Sequence, residues 1–210
     1  SLVGPATRVI SQPGGLVLPA FQDAHVHPYI SALDEFDCSL FDTQAEVAAY
    51  LERVRECYEQ MRDRAWITGT GYSPTAFSEA RPPHRTLLDT VVPDRPAVFF
   101  STDGHTAWVN SRALEAAGID GTTPDPPNGR IDRDPATGEP SGTLQESAMI
   151  AIRDRLPPPT EEQRRAAMTF ARDYLHSLGI TAVQVGYASI DPLDPLRALD
   201  TFRDFADGGE

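Results

Sequence analysis

Two histidines, His25 and His27, stand two residues apart at the end of the run LVLPAFQDAHVHP (residues 16–28), with Asp23 two residues before the first. Along a β-strand, side chains alternate between faces, so positions 25 and 27 point the same way. Two neutral imidazoles on one face can hold a divalent ion such as zinc, and a water on that ion becomes a usable nucleophile near neutral pH. Asp23 shares that face one step deeper, where a carboxylate would orient an imidazole from behind. A His-x-His pair also occurs as two ordinary surface or packed histidines. What favours a metal here is the apolar strand leading into the pair and Pro28 directly after it, which places both rings at a strand's C-terminal end.

The elements that must carry this pair are legible in outline. Short strands are expected at 8–10 and 16–18 around the turn SQPGG, the second running on through FQDAHVH. Residues 43–64 read as a helix with Asp42 as N-cap, since Val47, Leu51, Val54, Tyr58 and Met61 form one stripe. WITGTGY and PAVFFST read as buried strands with a helix near 84–91 between them. NSRALEAAG reads as a helix capped by Asn110 and closed by Gly118. Residues 119–142, rich in Pro and Gly, suggest loops around one hairpin, followed by a helix at 144–155. Thr160 opens a long helix to Leu178 with Gln163 placed for a capping box, and Gly179 leads into the strand ITAVQVGY. Asp191 and Pro192 read as the start of a last helix reaching about Asp207. Helix, Gly, buried strand, loop, helix is the rhythm of an α/β barrel or a doubly wound sheet, and residues 35–158 interrupt it.

Composition narrows the classes. Thirty-one acidic residues against eighteen basic ones give a net charge of −13, and no basic run exceeds two residues, which argues against binding a phosphate backbone. No stretch approaches ~18 consecutive apolar residues, so no transmembrane helix is expected; the opening SLVGPATRVI lacks the pattern of a signal peptide, which says little in a chain without an initiator Met. Cys38 and Cys57 are read as reduced thiols, because Cys57 falls within a helix and nothing marks a disulfide scaffold; a cytoplasmic location is the corresponding expectation.

GGLVLPAFQDAHVHP resembles the first barrel strand of the metal-dependent amidohydrolase superfamily, with Ala20 where a glycine is usual. STDGHTAWVNSRALEAAGI, followed by GRIDRDPATGEPSGTLQESA, is similar to the branch called amidohydrolase family 3, which contains the N-substituted formamide deformylases. This resemblance implies an α/β fold: the first strands of a TIM-like (β/α) barrel, with a large mixed α/β insertion after strand one. Residues 1–34 would hold the end of a small β-domain and barrel strand one, 35–158 the insertion, and 159–210 a helix, barrel strand two and its following helix. It also implies zinc or another divalent metal ion on His25 and His27.

Carried over residue by residue, the resemblance makes His105 a substrate contact or transition-state stabiliser, with Asp103, Trp108 and Asn110 shaping the substrate pocket. Glu146 becomes the carboxylate that would complete or bridge the metal site. Glu146 has a structural reading as well, since Thr143-x-x-Glu146 fits a capping box at a helix start, and Asn110 equally reads as a simple helix cap. The expected chemistry is hydrolysis of a C–N bond in a small, amide-like substrate by a metal-activated water. Barrel strands and metal ligands beyond these are not found in the chain. The sequence is therefore expected to be an incomplete segment, inactive alone, that self-associates or sits beside the rest of its barrel. The rival expectation is a non-catalytic fragment or binding module with weak or no metal binding.

Overall fold

A computed structural model of the protein describes residues 3–78, 82–186 and 197–208. Residues 3–20 form turns and extended coil, and the strands expected at 8–10 and 16–18 do not form. Leu16 and Val17 are 81% and 82% exposed. The reason lies in the partner: β1 (Phe21–Val26) pairs in parallel with the strand beginning at Ile180, and Phe21 N–H donates to the Gly179 carbonyl at 2.9 Å. Gly179 is where the preceding helix ends, so residues before Phe21 have no ladder to join.

After β1 come α1 (Pro28–Asp34), β2 (Cys38–Ser39), α2 (Val47–Gln60), β3 (Ile67–Tyr72), α3 (Arg85–Asp89), β4 (Ala97–Ser101) and β5 (Thr106–Val109). Helix α2 starts later than its hydrophobic stripe suggests. A turn donating Thr43 N–H to the Leu40 carbonyl occupies its expected beginning, so Asp42 does not cap it and Glu46 stands at the N-cap position. Then follow α4 (Ser111–Ala117), the hairpin β6 (Gly129–Arg133) and β7 (Pro140–Glu146), the one-turn α5 (Ile150–Arg153), α6 (Glu161–Ser177), β8 (Ile180–Val185) and α7 (Ala198–Asp207). The expected start of this last helix at Asp191 and Pro192 lies outside the described residues. No described helix is long and apolar enough to cross a membrane.

Strands β2 to β7 form one six-stranded mixed sheet in the order β2-β3-β4-β5-β7-β6, parallel through β4 and antiparallel beyond it. Alternation along β4 and β5 divides the core between its two faces. Phe99 and Trp108 pack with Tyr50, Val54, Ile67 and Tyr72, while Val98, Ala107 and Val109 pack with Leu114, Leu144 and Ile152. The expectation of a helix over 144–155 is corrected at its start by this sheet, leaving α5 (Ile150–Arg153) as its helical part. Leu144 and Gln145 pair with both Ala107 and Thr106 on one side and Ile131 and Arg130 on the other, and two ladders outweigh a weak helical tendency.

The cysteines require a correction too. Cys38 and Cys57 form a disulfide with a Cα separation of 5.8 Å. Cys57 lies on the buried face of α2, one turn beyond Val54, and that face packs on the edge of the sheet where Cys38 ends up. The helical position that argued against pairing is what aims the thiol at its partner. A bonded pair also removes the ground on which a reducing compartment was expected.

β1 and β8 make a separate two-stranded parallel sheet. Helix α6 enters it through the capping box read from the sequence: Thr160 Oγ1 accepts from Gln163 N–H at 3.2 Å, and Gln163 Oε1 accepts from Thr160 N–H at 2.9 Å. Tyr29 and Ala32 of α1 bury against Ala167, Met168 and Ala171 of α6 and Phe205 of α7. Much of the strand pair is open, with Phe21 61% exposed, although parallel sheets are ordinarily covered on both faces.

Candidate active site

β1 bends at its end. The pairing register shifts between Asp23 and Val26, and Asp23 Oδ1 accepts from the His25 main-chain N–H at 2.9 Å. The carboxylate expected to orient an imidazole is thus bonded to the main chain and shapes the bulge. His27 leaves the strand as the N-cap residue of α1, with Pro28 in the first turn. The two imidazoles stand edge to face, ring centroids 5.1 Å apart, both exposed.

Gly186, the first residue after β8, donates its N–H to the Val26 carbonyl at 2.8 Å. A Cβ there would lie 2.7 Å from His25 Nε2 and 2.9 Å from His27 Cε1. Only a residue without a side chain lets the end of β8 approach both rings this closely. Sequence reasoning missed Gly186; its signal was a glycine at the end of the strand that pairs with the histidine strand. Two imidazoles converging over bare backbone suit a divalent ion as part of its donor set. Among the described residues, no group of three or more His, Cys, Asp or Glu side chains gathers to complete one.

A second pair lies on the six-stranded sheet. His105 Nδ1 is 3.0 Å from Glu146 Oε1, and Glu146 N–H donates to the His105 carbonyl at 3.0 Å. Glu146 is the last residue of β7, so the capping box with Thr143 does not form; Thr143 instead donates its hydroxyl to the Pro83 carbonyl at 2.9 Å. Glu146 adopts φ 52° and ψ −125°, a conformation glycine favours and other residues rarely take. Gly129 faces it across the ladder, and a Cβ on Gly129 would lie 2.5 Å from Ala148 N. A non-glycine residue held in such a region costs about 1–3 kcal/mol. The pair it presents is exposed, 65% and 56%, and exposed ion pairs contribute about 0–1 kcal/mol. Stability alone does not account for this exchange.

The turn before β5 sets His105 from the other side. Asp103 Oδ1 accepts from Ser101 Oγ at 2.6 Å and from His105 N–H at 3.1 Å, and Gly104 turns at φ 74° between them. The Ser101 hydroxyl first, then the His105 N–H, hold the Asp103 carboxyl below its usual range. Asp103 therefore fixes the loop that carries His105.

Trp108 and Asn110, expected to shape a substrate pocket, are both 0% exposed among the described residues. Trp108 donates its indole N–H to the His84 carbonyl at 3.1 Å and packs edge-on against Phe77 and Tyr72. Asn110 spends its whole amide on backbone. Oδ1 accepts from Ala97 and Ala113 N–H, and Nδ2 donates to the Val92 and Arg95 carbonyls, all at 2.9 Å. Both faces of β5 are buried, Trp108 in the cluster with Phe99 and Tyr72 and Ala107 and Val109 in the one with Leu144, so alternation alone did not tell a pocket position from a core one. Beside Glu146, Ser147 lines an open groove of about 490 Å³ whose other walls include Ile119, Pro124, Pro126 and Ile131.

The fold is similar to that of an uncharacterized metal-dependent hydrolase from Pyrococcus horikoshii OT3, at TM-score 0.60 and 20% identity, covering 91% of this chain and 34% of that one. Residues 8–209 match the amidohydrolase family, and the chain belongs to it, in the family 3 branch. It is 36% identical over 148 residues to the N-substituted formamide deformylase of Arthrobacter pascens, covering 69% of this chain and 27% of that protein. To the protein LONG AFTER FAR-RED 3 of Arabidopsis thaliana it is 29% identical over 181 residues, covering 86% of this chain and 30% of that protein. The chain thus spans about a third or less of the length of these relatives.

Proposed function

We propose that this chain is part of a metal-dependent hydrolase that cleaves C–N bonds in small, amide-like, non-peptide substrates. The observation that carries the reading is the convergence of His25 and His27 over Gly186. His25 and His27 would hold the ion, zinc or another divalent metal. When bound, it would supply a water of lowered pKa and positive charge beside the substrate carbonyl. His105 would act on the reacting groups, with Glu146 beside it and Asp103 fixing its loop. The groove next to Ser147 has a size and apolar lining suited to a substituent of a small substrate. The kinship with a formamide deformylase supports an amide-like substrate class.

Residues 1–34 and 159–210 would belong to a (β/α) barrel, and 35–158 would be an insertion carried on it. Both open faces of the β1–β8 pair support the presence of further barrel strands beside it in the working enzyme. A second reading concerns the 210 residues alone. With only two imidazoles gathered among the described residues, the isolated chain would bind metal weakly and turn nothing over.

Elemental analysis for bound metal, together with a panel of N-substituted formamides and other small amides, tests the proposal in the full gene product that carries this segment. Metal-dependent release of amine, abolished by H25A and by H27A, is the expected result. A preparation that hydrolyses no C–N bond with any divalent metal would overturn it.

A further inference from the structure

We propose that Asn128 is a site of spontaneous deamidation, and that the isoaspartate formed there loosens the turn that presents Glu146. The sequence holds two asparagines, Asn110 and Asn128. Asn110 is buried, and both ends of its amide are bonded to backbone, so it is shielded from attack. Asn128 is exposed and is followed by Gly129, whose main-chain nitrogen can approach the Asn128 amide carbon without a side chain of its own in the way.

The fold itself demands this pair. Asn128 is the third residue of a tight turn, closed by the Gly129 N–H to the Pro126 carbonyl at 3.1 Å, and its φ is 57°. Among residues with a side chain, asparagine is one of the few that accept that region. At 129 a side chain is barred, because a Cβ would lie 2.5 Å from both the Ala148 nitrogen and Ser147 Oγ. Turn chemistry and close packing thus place a readily cyclised dipeptide at an exposed position.

The step needs only water. When the turn opens, the Gly129 nitrogen bonds to Asn128 Cγ and gives up its proton. The Cγ–Nδ2 bond breaks, and Nδ2 leaves as ammonia with that proton, closing a succinimide ring. Water then adds its hydroxyl to either ring carbonyl carbon and its proton to the Gly129 nitrogen as that C–N bond breaks. Opening at Cγ leaves an aspartate; opening at the main-chain carbon leaves an isoaspartate, with one extra carbon in the backbone and a free carboxylate.

That extra carbon falls where β6 is tied to the candidate site. Gly129 lies opposite Glu146 in the β6–β7 ladder. Ser147, the next residue, donates its N–H to the Asn128 carbonyl at 3.4 Å and its hydroxyl to the Pro127 carbonyl. In isoaspartate the carbonyl that accepts from Ser147 is no longer part of the chain. The lengthened backbone cannot keep the turn, both Ser147 bonds and the ladder register together.

Incubation of the folded chain at mildly alkaline pH, followed by proteolysis and mass spectrometry, reads the conversion. The expected result is a gain of about 1 Da, ammonia exchanged for water, confined to the peptide that contains residue 128 and split into two chromatographic forms. Asn110 should stay unchanged, and N128G, suited to the same φ, should show no gain. An unconverted Asn128 in the folded chain, while a synthetic peptide of residues 120–135 converts alongside, would overturn the proposal. Amide hydrogen exchange then compares the isoaspartate fraction with N128D, which carries the same charge on a normal backbone. The Glu146 and Ser147 N–H groups should exchange at least about tenfold faster in the isoaspartate fraction. Exchange there no faster than in N128D would overturn the link to Glu146. N128G incubated in parallel subtracts any change at the Asp-Gly pairs, Asp103–Gly104 among them.

Discussion

A Cβ placed on Gly186 would stand 2.7 Å from Nε2 of His25, so the backbone at the end of β8 is pressed against the ring at the end of β1. The atoms that would clash are the far ends of two exposed side chains, which can swing away. Replacing Gly186 with alanine should therefore leave thermal stability within about 0.5 kcal/mol of the native value. The displaced imidazoles should lose about 10- to 100-fold in zinc affinity, the range for disturbing the support of a ligand. Melting curves and competition with a chromogenic chelator measure the two effects separately. Native zinc affinity in G186A would remove Gly186 from the site.

At Glu146 the two effects are coupled. E146G keeps the φ of 52° without a Cβ to strain it and gives up only an exposed ion pair. Set against the extra freedom glycine brings to the unfolded chain, about 0.5–1 kcal/mol, relief of about 1–3 kcal/mol of strain leaves a net gain of about 1 kcal/mol. E146A retains the strained backbone and should gain nothing. Urea midpoints of the two variants decide the matter. A midpoint for E146G below that of E146A, by the glycine cost of about 0.5–1 kcal/mol alone, would mean that the turn at Glu146 stores no strain.

These two residues show where sequence reading succeeds and stops. The elements that were legible are those stabilised locally. Thr160 and Gln163 cap α6 within four residues, Asn110 and Gly118 bracket α4, and the two histidines two residues apart end up with ring centroids 5.1 Å apart. The features that were not legible depend on partners distant in the chain. Leu16 to Leu18 look like a strand but have no ladder, because β8 begins only opposite Phe21. TLQE looks helical until β5 and β6 claim Leu144 and Gln145 from both sides. Glu146 meets His105 across 41 positions, and Gly186 meets His25 across 161. Asn110 was correctly read as a cap, but its simultaneous hold on Ala97, Val92 and Arg95 exceeds anything the spacing implied.

The Cys38–Cys57 bond closes a loop with a sequence separation of 19 between an edge strand and the helix that covers it. By loop-closure entropy such a link stabilises the fold by about 3 kcal/mol. The C38A/C57A double variant, or the native chain under reductant, should show a lower denaturation midpoint of that order. In denaturant without reductant, a thiol-reactive chromogen should find no free thiol. Two reactive thiols per chain there would contradict the bond.

Asp34, at the end of α1, gives the fold a pH dependence opposite to that of most carboxylates. Burial is the largest cause, followed by the charges of Asp37 and Glu35, and together they raise its pKa to about 7 against the opposing pull of Arg153. Asp37 is raised as well, chiefly by burial, despite its bonds from Thr68 and Arg64. A carboxyl that keeps its proton up to about pH 7 when folded, but releases it near 3.8 when unfolded, takes up a proton on folding between those values. Its contribution to stability is therefore least favourable above pH 7 and improves as pH falls through the window, by up to about 1.4 kcal/mol per pH unit. Asp34→Asn removes the titration while keeping the shape. The difference in unfolding free energy between D34N and the native chain, measured by urea at pH 5, 6, 7 and 8, should grow in favour of D34N as pH rises. Taking that difference cancels the groups common to both proteins, histidines included. A difference that stays flat from pH 5 to 8 would show that Asp34 ionises in the folded chain as it does in the unfolded one.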